Sequence, residues 1–174
     1  LIQQQFDAEI DALVYGEANY AYLRERGKAS YGDLWCVEHL FRDVPPTMPE
    51  QPEELRRWEY KLGHSLTKLL YSERTFVQHT HSLPLQRQLS QGELITHLLY
   101  LMPRLDKFLK DKDFVYVYTP ASLISELLFY LARSRGIGFA TMNQRRLGYQ
   151  WSICRNNLDV HEELMRVYGD PNFR

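Results

Sequence analysis

Residues 113–157 read DFVYVYTPASLISELLFYLARSRGIGFATMNQRRLGYQWSICRNN, and their pattern decides the fold. Phe114-Val115-Tyr116-Val117-Tyr118 is a short apolar run rich in β-branched and aromatic residues, which predicts a buried parallel strand. Thr119-Pro120 punctuates the chain. Thr119 is expected to accept a backbone N–H as N-cap, with Pro120 at the first helical position, where its missing donor is not needed. Leu123, Ile124, Leu127, Leu128 and Leu131 then recur at helical spacing, and Gly136 is placed to close the helix in a left-handed conformation. Ile137 to Met142 is again short and apolar. Strand, helix and strand make one βαβ unit, whose crossover is right-handed by the general rule.

That unit also predicts where a ligand goes. In open α/β sheets, ligands lie at the carboxyl ends of the strands, where helix N-termini direct backbone N–H groups at them. Here those ends are Thr119-Pro120-Ala121-Ser122 and Asn143-Gln144-Arg145-Arg146. Ser122, Glu126 and Arg133 share a polar lane of the helix, so Ser122 and Glu126 are expected to face one crevice. The competing interpretation is that Thr119 and Ser122 only cap, Glu126 is solvated, and Arg145 and Arg146 are surface charges.

Working outward, Ala12 to Gly16 predicts a short strand, Glu17 to Arg26 a helix ending at Gly27, and Asp33 to Val37 a second strand. This alternation is that of a parallel sheet with covering helices. Val44 to Pro52 carries four prolines in nine positions, which leaves only an extended connector. Pro52 opens a helix with the stripe Leu55, Trp58, Leu62, Leu66, Leu69 and Leu70. A second long helix runs from about Gln91 to Lys110, with Pro103 expected to kink it. These two form an inserted helical pair over about 53–110. Leu147 to Cys154 reads as a final strand or a loop, and Val160 to Tyr168 as a short amphipathic helix. The expected architecture is a single Rossmann-like α/β domain over 1–174. Because the chain starts inside what reads as a helix end (LIQQQFD), the expectation is a fragment of a longer two-domain chain that has lost its first strand.

The 174 residues are enough for a real core, and twelve tyrosines with eight phenylalanines argue for a folded chain. A net charge of −1 gives no general attraction to nucleic acid or to an anionic membrane. Cys36 and Cys154 are far apart in apolar settings, as reduced core residues of a cytoplasmic protein are. No apolar run reaches the roughly 20 residues of a membrane span.

Several motifs bear on chemistry. His79 and His81 are two apart and point the same way on an extended segment. No cysteine or carboxylate at short spacing completes a closed zinc site, so a polar contact loop or ordinary surface histidines compete with a metal pair. Asp111-Lys112-Asp113 precedes a strand, at the sheet edge opposite to ligands, and reads as a solvated turn. Arg145 and Arg146, with Arg155 beyond, concentrate guanidinium groups able to fork onto phosphate or carboxylate. The phosphate loop, the dinucleotide fingerprint and the nucleophile elbow are all absent, which disfavours the commonest nucleotide hydrolases, dehydrogenases and α/β-hydrolases.

The order of these elements, with the tract Arg74-Thr75-Phe76, then Asp113-Phe-Val-Tyr-Val-Tyr, Thr119-Pro-Ala-Ser, Arg135-Gly-Ile and Arg145-Arg-Leu-Gly148, resembles the amino-terminal half of bacterial capsule and surface-polysaccharide biosynthesis proteins of the GT-B glycosyltransferase type. The resemblance implies an acceptor-side domain acting on a nucleotide-sugar donor and a saccharide acceptor, with a carboxyl-terminal donor domain elsewhere. It implies cytoplasmic location, peripheral membrane association as an option for the whole protein, and no cofactor or metal. Thr119, Ser122, Gln144, Arg145 and Arg146 would then bind substrate, and Glu126, His79 or His81 would be the base. The alternative is a non-catalytic α/β module that docks a protein partner or a small anion.

Overall fold

The computed structural model describes residues 3, 5, 7–27, 29–45, 52–72, 90–118, 122–144 and 151–155. The chain divides into two compact units, Leu1–Pro46 and Thr47–Arg174. Among the described residues it is mixed helix and strand, with small sheets.

In the first unit, β1 (Ala12–Val14) leads into α1 (Glu17–Arg26), and β2 (Leu34–Cys36) into the single-turn α2 (Val37–Leu40). The two strands pair in parallel, with Ala12 opposite Leu34 and Val14 opposite Cys36. Gly16 sits between β1 and α1 at a positive φ of 87°, a region that costs a side chain but not glycine. Buried residues are few here. Cys36, Val37 and Leu40 are buried among the described residues, and α1 buries none.

The second unit contains α3 (Pro52–Leu62), α4 (Leu66–Ser72), α5 (Gln91–Phe108), β3 (Phe114–Val117), α6 (Leu123–Arg135), β4 (Gly138–Gln144) and β5 (Trp151–Cys154). The strand–helix–strand unit expected at 113–142 is present, with β3 and β4 parallel from Phe114 opposite Gly138 to Val117 opposite Thr141. The expected parallel sheet thus occurs as two parallel pairs in separate sheets. The uncertain stretch before Cys154 supplies β5, which pairs antiparallel to β4.

Three details depart from the sequence reading. The stripe from Leu55 to Leu70 belongs to two helices, not one. Gly63 adopts φ 63° between them, and the Glu59 carboxylate reaches over to accept from the Leu66 N–H and the Ser65 hydroxyl, both at 2.9 Å. Glu59 thereby caps α4, and the inserted helical pair becomes three helices among the described residues. Second, β3 is not buried on both faces. Phe114, Tyr116 and Tyr118 are exposed on one side while Val115 is buried on the other, against α6. Third, the N-cap of α6 is Ser122, not Thr119, so the helix starts at Leu123 rather than Pro120. Thr119 and Pro120 themselves lie outside the described residues.

The core of this unit is leucine-rich. Leu66 of α4, Leu98, Leu101, Met102 and Leu105 of α5, Leu109 just past its end, and Leu127 and Leu131 of α6 are all fully enclosed. Pro103 lies inside α5 on the exposed side, and a Ser90–Glu93 capping box starts that helix. Gly136 closes α6 with φ 69°, as expected. Asp106 of α5 ties three helices together. It accepts from Lys61 of α3 at 2.9 Å and from the Arg135 guanidinium of α6 at 2.8 and 2.9 Å. Both cysteines are buried, and neither forms a disulfide.

Candidate functional site

Two carboxyl edges of parallel strand pairs are available, one in each unit. At the β3–β4 edge, the sequence nominates Thr119, Ser122, Glu126, Gln144, Arg145, Arg146 and the histidines 79 and 81. Thr119, His79, His81, Arg145 and Arg146 lie outside the described residues, and of Gln144 only the backbone is described, at the end of β4 opposite Trp151.

Ser122 is engaged in capping. Its hydroxyl accepts from the Ser125 N–H at 3.3 Å, while the Ser122 N–H donates to the Ser125 hydroxyl at 3.1 Å. This reciprocal pair satisfies two otherwise unpaired N–H groups of the first turn. Glu126 is half-buried one turn further on. Its carboxylate acts on Tyr130, whose phenol is pushed up by burial and by Glu126, with Arg133 opposing. Tyr130 in turn stacks on His64, ring centroids 4.2 Å apart and nearly parallel. The lane that begins at Ser122 therefore descends along α6 to the turn between α3 and α4. Sequence reading missed His64 because the leucine stripe was carried straight through Gly63. It missed Tyr130 as well, although the four-residue step from Glu126 was there to be read.

At the β1–β2 edge the geometry is fully described and was not anticipated. Gly16 and Glu17 follow β1, and Cys36, Glu38 and His39 follow or end β2, so two adjacent strand ends bring these groups together. The Gly16 N–H donates to both carboxylate oxygens of Glu38 at 2.9 Å, and the Cys36 thiol donates to Glu38 Oε2 at 3.0 Å. His39 Nε2 lies 2.9 Å from both oxygens of Glu17, which also pairs with Arg42. The Tyr20 ring meets His39 edge-on at 5.0 Å.

The electrostatics follow from these contacts. The hydrogen bond with His39 holds the Glu17 carboxyl below its ordinary value, helped by Arg42 and opposed by partial desolvation. Burial pushes Glu38 the other way, yet it ends lowered, because the Cys36 thiol and the N–H groups of Glu38 and Gly16 all donate to it. Burial, and then the bond to Glu38, push the Cys36 thiol up. One donor atom each from Glu17, Cys36 and His39 lie within 4.8 Å of one another, an arrangement able to hold a metal ion. The signal in the sequence was Cys36-x-x-His39, passed over because Cys36 reads as a core residue, which it also is.

Compared with known proteins, the chain matches no family model, no curated protein and no solved structure.

Proposed function

We propose that this chain is the acceptor-side part of a glycosyltransferase of the two-domain GT-B type, moving a sugar from a nucleotide-sugar donor in surface-polysaccharide synthesis. The observation that carries the reading is the β3–α6–β4 unit, with its parallel register and its capped helix start at the carboxyl edge. A Rossmann-like arrangement is the finer form of the fold that this reading requires. In such a crevice the first N–H groups of α6 would meet an acceptor oxygen or phosphate, with Ser122 holding the helix start in place. Arg145 and Arg146, immediately after β4, would meet anionic groups of donor or acceptor. Glu126, His79 or His81 would serve as base, since the group that removes a hydroxyl proton must first reach it. Leaving-group charge would be offset by basic side chains and helix dipoles rather than by a metal.

One observation favours the second reading, a module that docks a protein partner. Phe114, Tyr116, Tyr118 and Ile153 are large and exposed, and β-strand pairing puts Ile153 beside Met142 and Tyr116 beside Ala140 on one face of the sheet. Exposed apolar sheet surface of this kind suits a protein contact better than a sugar. Saturation-transfer NMR with a panel of nucleotide sugars and free sugars separates the two. The transferase reading expects transfer that the Arg145→Ala/Arg146→Ala variant abolishes. Transfer that survives in that variant removes those arginines from the site. Silence across the panel, together with broadening of the 114–118 resonances by a partner protein, would favour the docking reading.

A further inference from the structure

We propose that Glu17, Cys36 and His39 form a binding site for a divalent cation of the zinc class, at the carboxyl edge of the β1–β2 pair. The inference does not depend on the transferase reading, which concerns the other unit.

The donor set is the first argument. One thiol sulfur, one imidazole nitrogen and one carboxylate oxygen are the mixture that zinc accepts, whereas magnesium and calcium take oxygen alone. Geometry is the second. A tetrahedral zinc about 2.0–2.3 Å from each donor sets the donors roughly 3.3–3.6 Å apart. The three atoms here already lie within 4.8 Å of one another. Closing around an ion needs movements of about an ångström, and Glu17, with its side chain half exposed, is free to make them.

The backbone supports this placement. Cys36 ends β2, His39 lies on the helical turn that begins with the next residue, and Glu17 is the first residue of α1. Two of the donors are thus held by one strand–helix junction, and the third by the neighbouring one. Around them stand the groups that outer-shell residues usually provide. Glu38, itself held by the Gly16 N–H, accepts from the Cys36 thiol and aims the sulfur. Arg42 orients the Glu17 carboxylate, and Tyr20 sets the edge of the His39 ring.

Binding exchanges the thiol proton for a sulfur–metal bond, and Glu38, 3.0 Å from the sulfur, is placed to accept that proton and pass it to solvent. Three protein ligands leave a fourth position for water or an anionic ligand. The unit also has a reason to hold a metal. Its described residues bury little beyond Cys36, Val37 and Leu40, and units with so small a core are the ones that metals commonly stabilise.

The test is a titration of the chelator-treated full chain with cobalt(II), whose thiolate complexes absorb by ligand-to-metal charge transfer. The expected result is a band that saturates at one equivalent, persists in Cys154→Ser and is absent in Cys36→Ser. Zinc should displace the cobalt, and His39→Gln and Glu17→Gln, both at partly exposed positions, should each weaken zinc binding at least tenfold. A chain that shows no saturable charge-transfer band overturns the proposal. So does a band that survives Cys36→Ser, or zinc affinity unchanged in both His39→Gln and Glu17→Gln.

Discussion

The two parallel strand pairs of this chain share a grammar and differ in what holds them. Each begins with a short strand, passes through a helix and returns to a parallel neighbour. In the unit that holds β3 and β4, four of the described helices contribute a set of enclosed leucines, and charged groups such as Asp106 act at the margin. Around β1 and β2, the apolar contribution is slight and the strand ends are joined by carboxylates, a histidine, an arginine and a thiol. The difference teaches that the same strand–helix pattern can rest on dispersion and apolar burial or on polar bonds that respond to pH and ions.

The strongest way to break this comparison is to cut into each core. Leu105 is fully enclosed by its neighbours, and Leu105→Ala should cost about 3–5 kcal/mol, the lost transfer energy plus that of the cavity left behind. Leu40→Ala, in the first unit, removes the same atoms from sparser surroundings and should cost about 2 kcal/mol or less, because such a site collapses more readily. Urea unfolding followed by probes in each unit reads both. Equal losses would mean that the first unit has an apolar core as demanding as the second.

How far the two regions were legible in sequence follows from the same difference. Leucines at helical spacing report burial directly, so α5, α6 and the capping Gly136 could be read from residue pattern alone. The break at Gly63 was hidden because the stripe keeps its phase through it. What ends α3 is one left-handed glycine, and what starts α4 is a carboxylate seven residues before the N–H it caps. Strand β3 was misjudged for a related reason. Aromatic residues at 114, 116 and 118 look like a buried run, although their alternation with valine is equally that of a strand covered on one face only. The cluster at Glu17, Cys36 and His39 was the least legible. It is assembled by strand pairing between residues some twenty positions apart, each with an ordinary explanation on its own. At the β3–β4 edge the sequence nominated residues by position, and most of them lie outside the described residues; of the rest, Ser122 turned out to cap its own helix.

A smaller effect sharpens the comparison from the polar side. Asp106 receives Lys61 and Arg135 from two other helices, with all three side chains partly open to water. Asp106→Asn keeps the shape and removes the charge, and should cost about 1–2 kcal/mol, since charged hydrogen bonds count for more than neutral ones but exposure screens them. Thermal unfolding in low and high salt measures it, with salt expected to narrow the gap between variant and parent. If this loss exceeded that of Leu105→Ala, the second unit would rest on its ion pairs, and the contrast between the units would disappear.

The smallest effect, and the most selective, is the response of the first unit to acid. Glu17 and Glu38 both titrate below the ordinary glutamate value of 4.5 in the folded chain, Glu17 chiefly through the hydrogen bond with His39 and Glu38 through N–H and thiol donors that outweigh its burial. A carboxylate lowered on folding stabilises the folded state at pH above its unfolded value, and that contribution fades as pH falls through the lowered one. Glu17 is exposed, so its share is modest and should shrink further in salt. The expectation is that amide resonances of residues 12–16 and 34–40 broaden or shift as pH falls from about 4.5, while those of 123–135 hold. Glu17→Gln should remove part of that sensitivity without altering the second set. Simultaneous loss of both sets would show one cooperative structure in which the leucines protect the carboxylates. Separate loss would locate the acid-sensitive bonds at the β1–β2 edge, where a cation would have to compete with the same protons for the same donors.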